Sequence, residues 1–297
     1  MSSDFCIKKE YEDMSVGGYL RRVLGLSRRQ IASLKFRPNG LMLNGKRCRS
    51  TDLLQAGDLL QLSLKSGGTV HLETDGNTDL PEVLYEDETV LVVSKPSGLV
   101  FHPSPGHYTD SLANKVAAYA AVKNAGWSLR PVGRLDKDTS GAAVFAKSAE
   151  AAALLSRQGA VKKNYFAIAE GIPEPPEGCI DLPIAADAHS LGKMCISDAG
   201  KPAKTYYRTV ASADGYSLLS VRLVHGRTHQ IRLHLSHAGH PLAGDPLYGK
   251  GEKDRTHAML HCRSAEIILP FSGKTVTVTA PFPEDWQPWA GLLSISD

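Results

Sequence analysis

Residues 131–141 read Pro-Val-Gly-Arg-Leu-Asp-Lys-Asp-Thr-Ser-Gly, an arginine two residues before an aspartate, followed by two hydroxyls and a glycine. In an extended or tightly turned backbone, residues i and i+2 point to one side, so Arg134 and Asp136 can face one cleft. A carboxylate placed there can attack an electrophilic carbon while it is ionised. Thr139 and Ser140 can satisfy turn amides, and Gly141 permits a close or left-handed backbone. A surface loop carrying an ion pair has the same composition, so these residues alone leave both readings open.

Other stretches carry chemistry of their own. Lys162-Lys163-Asn164-Tyr165-Phe166-Ala167 alternates, with Tyr165, Ala167 and Ala169 on one side and Phe166 and Ile168 on the other. On pattern alone Tyr165 is a core or cross-strand aromatic. Gly226-Arg227-Thr228-His229-Gln230-Ile231-Arg232 opens a helix, and Ile231, Leu233 and Leu235 show that the helix packs. His229, His234, His237 and His240 suggest a metal cluster, and a metal-dependent hydrolase is one alternative. His234 and His237 have a usable i, i+3 spacing, but no paired carboxylate or cysteine follows at ligand spacing.

The elements that position these residues fall into two regions. Residues 15–24 predict a short helix with Val16, Leu20, Val23 and Leu24 on one face, and Ser27 caps a second helix over 28–36 with Ile31 and Leu34 inward. A strand over 41–43 enters an Asn44-Gly45 hairpin turn, and 59–64 predicts another strand. Between residues 14 and 65 there are ten cations against two anions, a net of +8 in a chain whose total is +3. That concentration suits a polyanion-binding module. Residues 66–80, rich in Gly, Thr and Asp, predict a linker. Beyond Pro81, strands are predicted near 83–85, 90–94, 142–146, 164–169, 203–210, 217–223, 266–269 and 276–279, with helices near 112–122, 149–158 and 228–238. Strand clusters without regular βαβ alternation indicate an α+β domain with a largely antiparallel sheet.

The 297 residues, 42% hydrophobic and 22% charged, fit a globular protein with room for a large and a small domain. No apolar run reaches membrane-span length and no signal-peptide core opens the chain, so a cytoplasmic monomer with no membrane partner is expected. The five scattered cysteines predict reduced thiols.

Four segments together resemble the RluA/RluD-type family of RNA pseudouridine synthases: Lys95 to Pro103, the Asp136 motif, Lys162 to Ala167, and Gly226 through His234 to Gly244-Asp245-Pro246-Leu247-Tyr248-Gly249. Residues 14–65 resemble the S4 RNA-binding domain. The resemblance implies an α+β catalytic domain over 81–297 with a mixed, largely antiparallel sheet, behind a small N-terminal α/β S4-like domain over 1–65. It makes Asp136 the nucleophile, sets Arg232 against that carboxylate, and stacks Tyr165 on the target uracil. Arg134 fills the gap left by the flipped nucleotide, while Thr139, His102, Arg227 and His229 contribute to substrate binding. Arg21, Arg22, Arg28, Arg29, Lys35 and Arg37 would hold RNA phosphates. The reaction is an isomerisation and needs no cofactor. Ribosomal large-subunit RNA is the expected substrate, with transfer RNA or both as the alternative. A non-catalytic RNA-binding protein is the rival from another class, and intact Asp136, Tyr165 and Arg232 weigh against it.

Overall fold

The computed structural model describes residues 2–35, 39–63, 79–123, 125–190, 192–249 and 257–293. Its N-terminal part comprises β1 (Ser2–Cys6), α1 (Val16–Arg22), α2 (Arg28–Lys35), β2 (Leu41–Leu43), β3 (Lys46–Arg47) and β4 (Leu59–Ser63). The strands form an antiparallel sheet in the order β1-β4-β2-β3. Local chemistry accounts for most of this. Ser27 and Gln30 cap each other reciprocally at the start of α2, at 3.2 and 2.8 Å. Asn44 and Gly45 take φ of 50° and 75°, as the tight β2–β3 hairpin requires. Val16, Leu20, Leu24, Ile31 and Leu34 are buried in a core of this part, against which Phe271 of the larger part packs. Strand β1 was not anticipated; its pairing partner β4 lies more than fifty residues away. The predicted helix end at Phe36, together with Arg37 and most of the 66–80 linker, lies outside the described residues.

The larger part comprises β5 (Val83–Glu86), β6 (Val90–Lys95), α3 (Leu112–Val122), β7 (Arg130–Pro131), β8 (Ser140–Ala146), α4 (Ala149–Leu155), β9 (Val161–Glu170) and β10 (Glu177–Asp181). A small hairpin, β11 (Ile184–Ala186) and β12 (Met194–Ile196), precedes β13 (Lys204–Ala213), β14 (Tyr216–Leu223), α5 (Gln230–His237), β15 (Leu260–Ile268), β16 (Thr275–Thr279) and α6 (Ala290–Leu293). The central sheet runs β10-β13-β14-β9-β15-β8-β6-β5, with β16 added on β15 and β7 on β8. Among the described strands every pair is antiparallel except β8–β15. This is the expected α+β fold.

Strand β9 shows how the sheet divides its two faces. Tyr165, Ala167 and Ala169 join the main core, whereas Phe166 and Ile168 join a second cluster with Trp286 and Trp289. Both faces are thus covered. Helix α4 stops at Leu155, short of the predicted 158, and α5 starts at Gln230, two residues late. Among the described residues the parts touch through Gln30 Nε2 to Ala149 O and Arg157 Nη2 to Val23 O, both 3.0 Å, and through the Phe5 and Phe271 rings at 5.7 Å, among other contacts.

Candidate active site

The Asp136 motif fills the turn between β7 and β8, and long-range bonds fix that turn. Lys95, at the end of β6, is 1% exposed. Its Nζ donates to the carbonyls of Pro96, Lys137 and Thr139 at 2.9, 2.7 and 2.9 Å. Ser97 Oγ donates to Asp138 O at 3.0 Å. Burial pushes Lys95 down to about 7, opposed by the charges of Asp138 and Asp136. At the C-terminal side Gly141 has φ +107°, and a Cβ there would come within 2.2 Å of Cys262 O. Only glycine lets β8 run so close to β15. The hydroxyls do not cap turn amides as expected. Ser140 Oγ pairs with His261 Nδ1 at 2.8 Å, and Thr139 joins the turn through its backbone, N to Asp136 O at 3.1 Å.

Asp136 is half-buried, and its carboxylate accepts no hydrogen bond from the described residues. It stands at the wall of a cleft of about 640 Å³. Asp136 is the one carboxylate among the residues lining that cleft, whereas six are cationic: Arg134, Arg157, Lys162, Lys163, Arg222 and Arg227. Tyr165 and Thr139 also line it. Such a cleft suits a polyanion with one reactive carboxylate inside.

Tyr165 is 8% exposed; burial above all, then the charges of Cys262 and Asp136, raise its phenol well above the usual value. It meets a ligand as a neutral ring. Two residues earlier on the same strand face, Lys163 Nζ is buried without a partner among the described residues. Burial lowers its pKa, and the Cys262 thiol across the strand opposes that.

Arg232 departs from expectation. It is buried, but it makes no hydrogen bond to the Asp136 carboxylate, against which the resemblance sets it. Its hydrogen bonds go to Asp245, Nε to Oδ2 at 2.7 Å and Nη2 to Oδ1 at 2.6 Å, with a longer one from Nη1 to Asp138 Oδ2 at 3.3 Å. Asp245 takes the fork of the guanidinium, so Asp136 acts on Arg232 through charge alone. Asp245 also accepts the amides of Leu247 and Tyr248 at 2.9 and 3.1 Å. Arg232 thereby ties the α5 helix, the 245–248 turn and the Asp136 turn together.

The remaining candidates separate. Arg134 is exposed at the cleft, and Arg227 lines it with Nε held by Pro202 O at 3.1 Å. His102 is half-buried beside Phe101, outside the cleft lining; burial and then the Arg134 charge lower its pKa. His229 caps α5 in a left-handed conformation, φ 54°, and its Nδ1 meets Tyr248 Oη at 3.0 Å. His234 is buried against Thr205 and Leu182 O, and His240 binds Glu170 O. Arg21, Arg22 and Arg28 are exposed, the side chains of Arg29 and Lys35 are outside the described set, and Arg37 lies wholly outside it. Sequence reasoning gave no role to Lys95, Lys163, Asp245 or Tyr248. The usable signal was a lone lysine closing the otherwise apolar strand 90–95.

Residues 89–237 match the RNA pseudouridylate synthase family. An RNA pseudouridine synthase of Bacillus subtilis is 37% identical over 242 residues, covering 77% of this chain and 80% of its own. Ribosomal large subunit pseudouridine synthase D of Zymomonas mobilis is 41% identical over 239 residues, covering 74% and 75%. The solved human RNA pseudouridylate synthase domain containing 4 superposes with a TM-score of 0.59 at 23% identity, over 72% of this chain and 93% of its own, a likeness of fold. The chain belongs to the RNA pseudouridine synthase family and is an isomerase acting on RNA.

Proposed function

We propose that this chain converts uridine to pseudouridine in structured RNA at Asp136, with ribosomal large-subunit RNA as substrate. The single observation that carries the reading is a cleft with one carboxylate, free of internal hydrogen bonds, among six cations. The reaction breaks the N1–C1′ bond, turns the uracil and joins C5 to C1′; the C5 proton leaves and N1 takes up a proton, so the product is an isomer of the substrate. Asp136 serves as nucleophile, and the turn held by Lys95 and Ser97 presents it without drawing on its oxygens. A paired uridine must leave its stack to reach this depth; Arg134 at the rim fits the gap it leaves, and the Tyr165 ring gives the extruded base a stacking face. Arg232 keeps the surrounding loops in register through its bonds to Asp245 and Asp138. Thr139 and Arg227 of the cleft wall, with His229 beside it, complete the substrate contacts, and His102, outside the lining, is left without one.

We further propose that residues 1–65 form an S4-like RNA-binding domain, joined through 66–80 to a catalytic domain over 81–297. Exposed Arg21, Arg22 and Arg28, with Arg29, Lys35 and Arg37, would meet phosphates, which makes affinity fall steeply with salt. The relatives named for the ribosomal large subunit support that choice of RNA. The test is pseudouridine mapping of total RNA from cells with and without the gene, and of RNA treated with purified protein. Loss of a large-subunit site on deletion, restored by wild type but not by Asp136→Asn, supports the reading; loss at transfer RNA sites alone would redirect the substrate. An Asp136→Asn protein with full turnover would remove the nucleophile assignment.

A further inference from the structure

Tyr248 is tied to the site by more bonds than its place in a turn requires. Its Oη accepts the Met194 N–H at 2.8 Å and meets His229 Nδ1 at 3.0 Å. Its ring lies under the Arg232 guanidinium, 5.6 Å from the centroid, and 5.7 Å from the His229 ring. The direction of these bonds is decidable. Met194 N–H can only donate to the phenol oxygen, and among the described residues His229 Nδ1 is the one acceptor within reach of the phenol hydrogen, which would otherwise go unpaired. Burial raises the Tyr248 phenol, which keeps that hydrogen in place at neutral pH. His229 Nδ1 is then the acceptor, and a neutral imidazole accepting at Nδ1 carries its proton on Nε2. Nε2 has no partner among the described residues, and it is not among the buried unpaired atoms, so it is open to a ligand.

The surroundings of His229 agree. Burial lowers its pKa first of all; of the charges acting on it Asp136 is the strongest, followed by Arg232, then Asp245 and Asp138. In the chain His229 lies between Thr228 and Gln230, both of which line the Asp136 cleft. Its left-handed backbone is uncommon for a residue other than glycine. The next residue holds it there. The Gln230 side chain accepts from Arg227 N at 3.0 Å and donates to Lys204 O and Thr205 Oγ1 at 3.1 and 3.0 Å.

We propose that Tyr248 is a positioning residue that fixes His229 as a neutral Nε2–H donor, and that this N–H holds an acceptor oxygen of the uridine bound at Asp136. The inference rests on Asp136 being the reaction centre. It also gives the β11–β12 hairpin a function, because Met194 N–H is what turns the phenol hydrogen toward His229.

The test reads the tautomer directly, without turnover. In protein labelled with nitrogen-15 histidine, long-range imidazole correlations identify His229 as the signal lost in His229→Gln. Wild type is expected to show the neutral Nε2–H form at about pH 8 and to titrate below the ordinary histidine value of about 6.5, and Tyr248→Phe to show mixed tautomers titrating nearer that value. An Nδ1–H or charged imidazole in wild type at about pH 8, or an unchanged spectrum in Tyr248→Phe, overturns the proposal. The second arm uses RNA carrying a site that wild type modifies. Gln places an amide near Nε2 and Asn places one near Nδ1, so His229→Gln should keep about tenfold more turnover than His229→Asn. The reverse order, or full turnover in both, also overturns it, and this comparison stands even if Tyr248→Phe fails to fold. If wild type modifies no RNA, the Asp136 reading falls, while the spectra still judge the Tyr248–His229 geometry by themselves.

Discussion

Lys95→Met keeps an apolar stem and removes the ammonium that holds three carbonyls beneath the Asp136 turn. In the folded protein burial lowers this lysine from 10.5 to about 7, with Asp138 and Asp136 opposing. Between those values the unfolded chain is protonated and the folded chain is not. The unfolded state therefore binds more protons, and stability rises with pH. From pH 7 to pH 10 wild type should gain about 3–4 kcal/mol from this group, at about 1.4 kcal/mol per pH unit of unequal binding. Methionine cannot make that gain. Below pH 7 three charge-assisted bonds of about 1.5–3 kcal/mol each work against about 5 kcal/mol of charge burial. The substitution then costs only about 0–4 kcal/mol. Urea unfolding of both proteins at about pH 7 and about pH 10 measures the gap, which should widen with pH. Turnover should fall about 100-fold if the turn shifts by about 1 Å. A gap independent of pH would refute the buried-lysine argument, and turnover within about twofold of wild type would refute the anchoring of Asp136.

Asp245→Asn leaves Arg232 buried without its bidentate partner and should cost about 3–5 kcal/mol in chemical denaturation. Burial raises the Asp245 carboxyl, but Arg232 and the Leu247 and Tyr248 amides outweigh it and hold the group below its usual value. Its contribution is present above the ordinary carboxylate value of about 3.9 and lost as pH falls through the lowered one, so acid unfolding should lose that component in the variant. Gly141→Ala meets backbone at 2.2 Å with φ +107°, and should cost about 3 kcal/mol or more, read as a lowered melting temperature. Lys163→Met removes a buried unpartnered amine and should stabilise by about 1–3 kcal/mol in thermal unfolding. No gain there would show that the amine is paired or hydrated in solution.

What the sequence determined is what short-range chemistry determines. Helix α3 occupies the predicted 112–122, the Ser27 cap and the Asn44-Gly45 turn form as their residue types demand, and β9 separates Tyr165 from Phe166 onto opposite faces because side chains alternate along a strand. Motif resemblance singles out Asp136 and Tyr165, and the fold sets both in the lining of one cleft. Tertiary structure decided who touches whom. No local rule pairs Lys95 with carbonyls some forty residues on, and none gives Arg232 to Asp245 while leaving the Asp136 carboxylate without a hydrogen bond from the described residues. Residue types state which groups can bond. Among several carboxylates close enough to compete for one guanidinium, the choice belongs to the path of the backbone, and that path is set by pairings such as β8 on β15, more than a hundred residues apart.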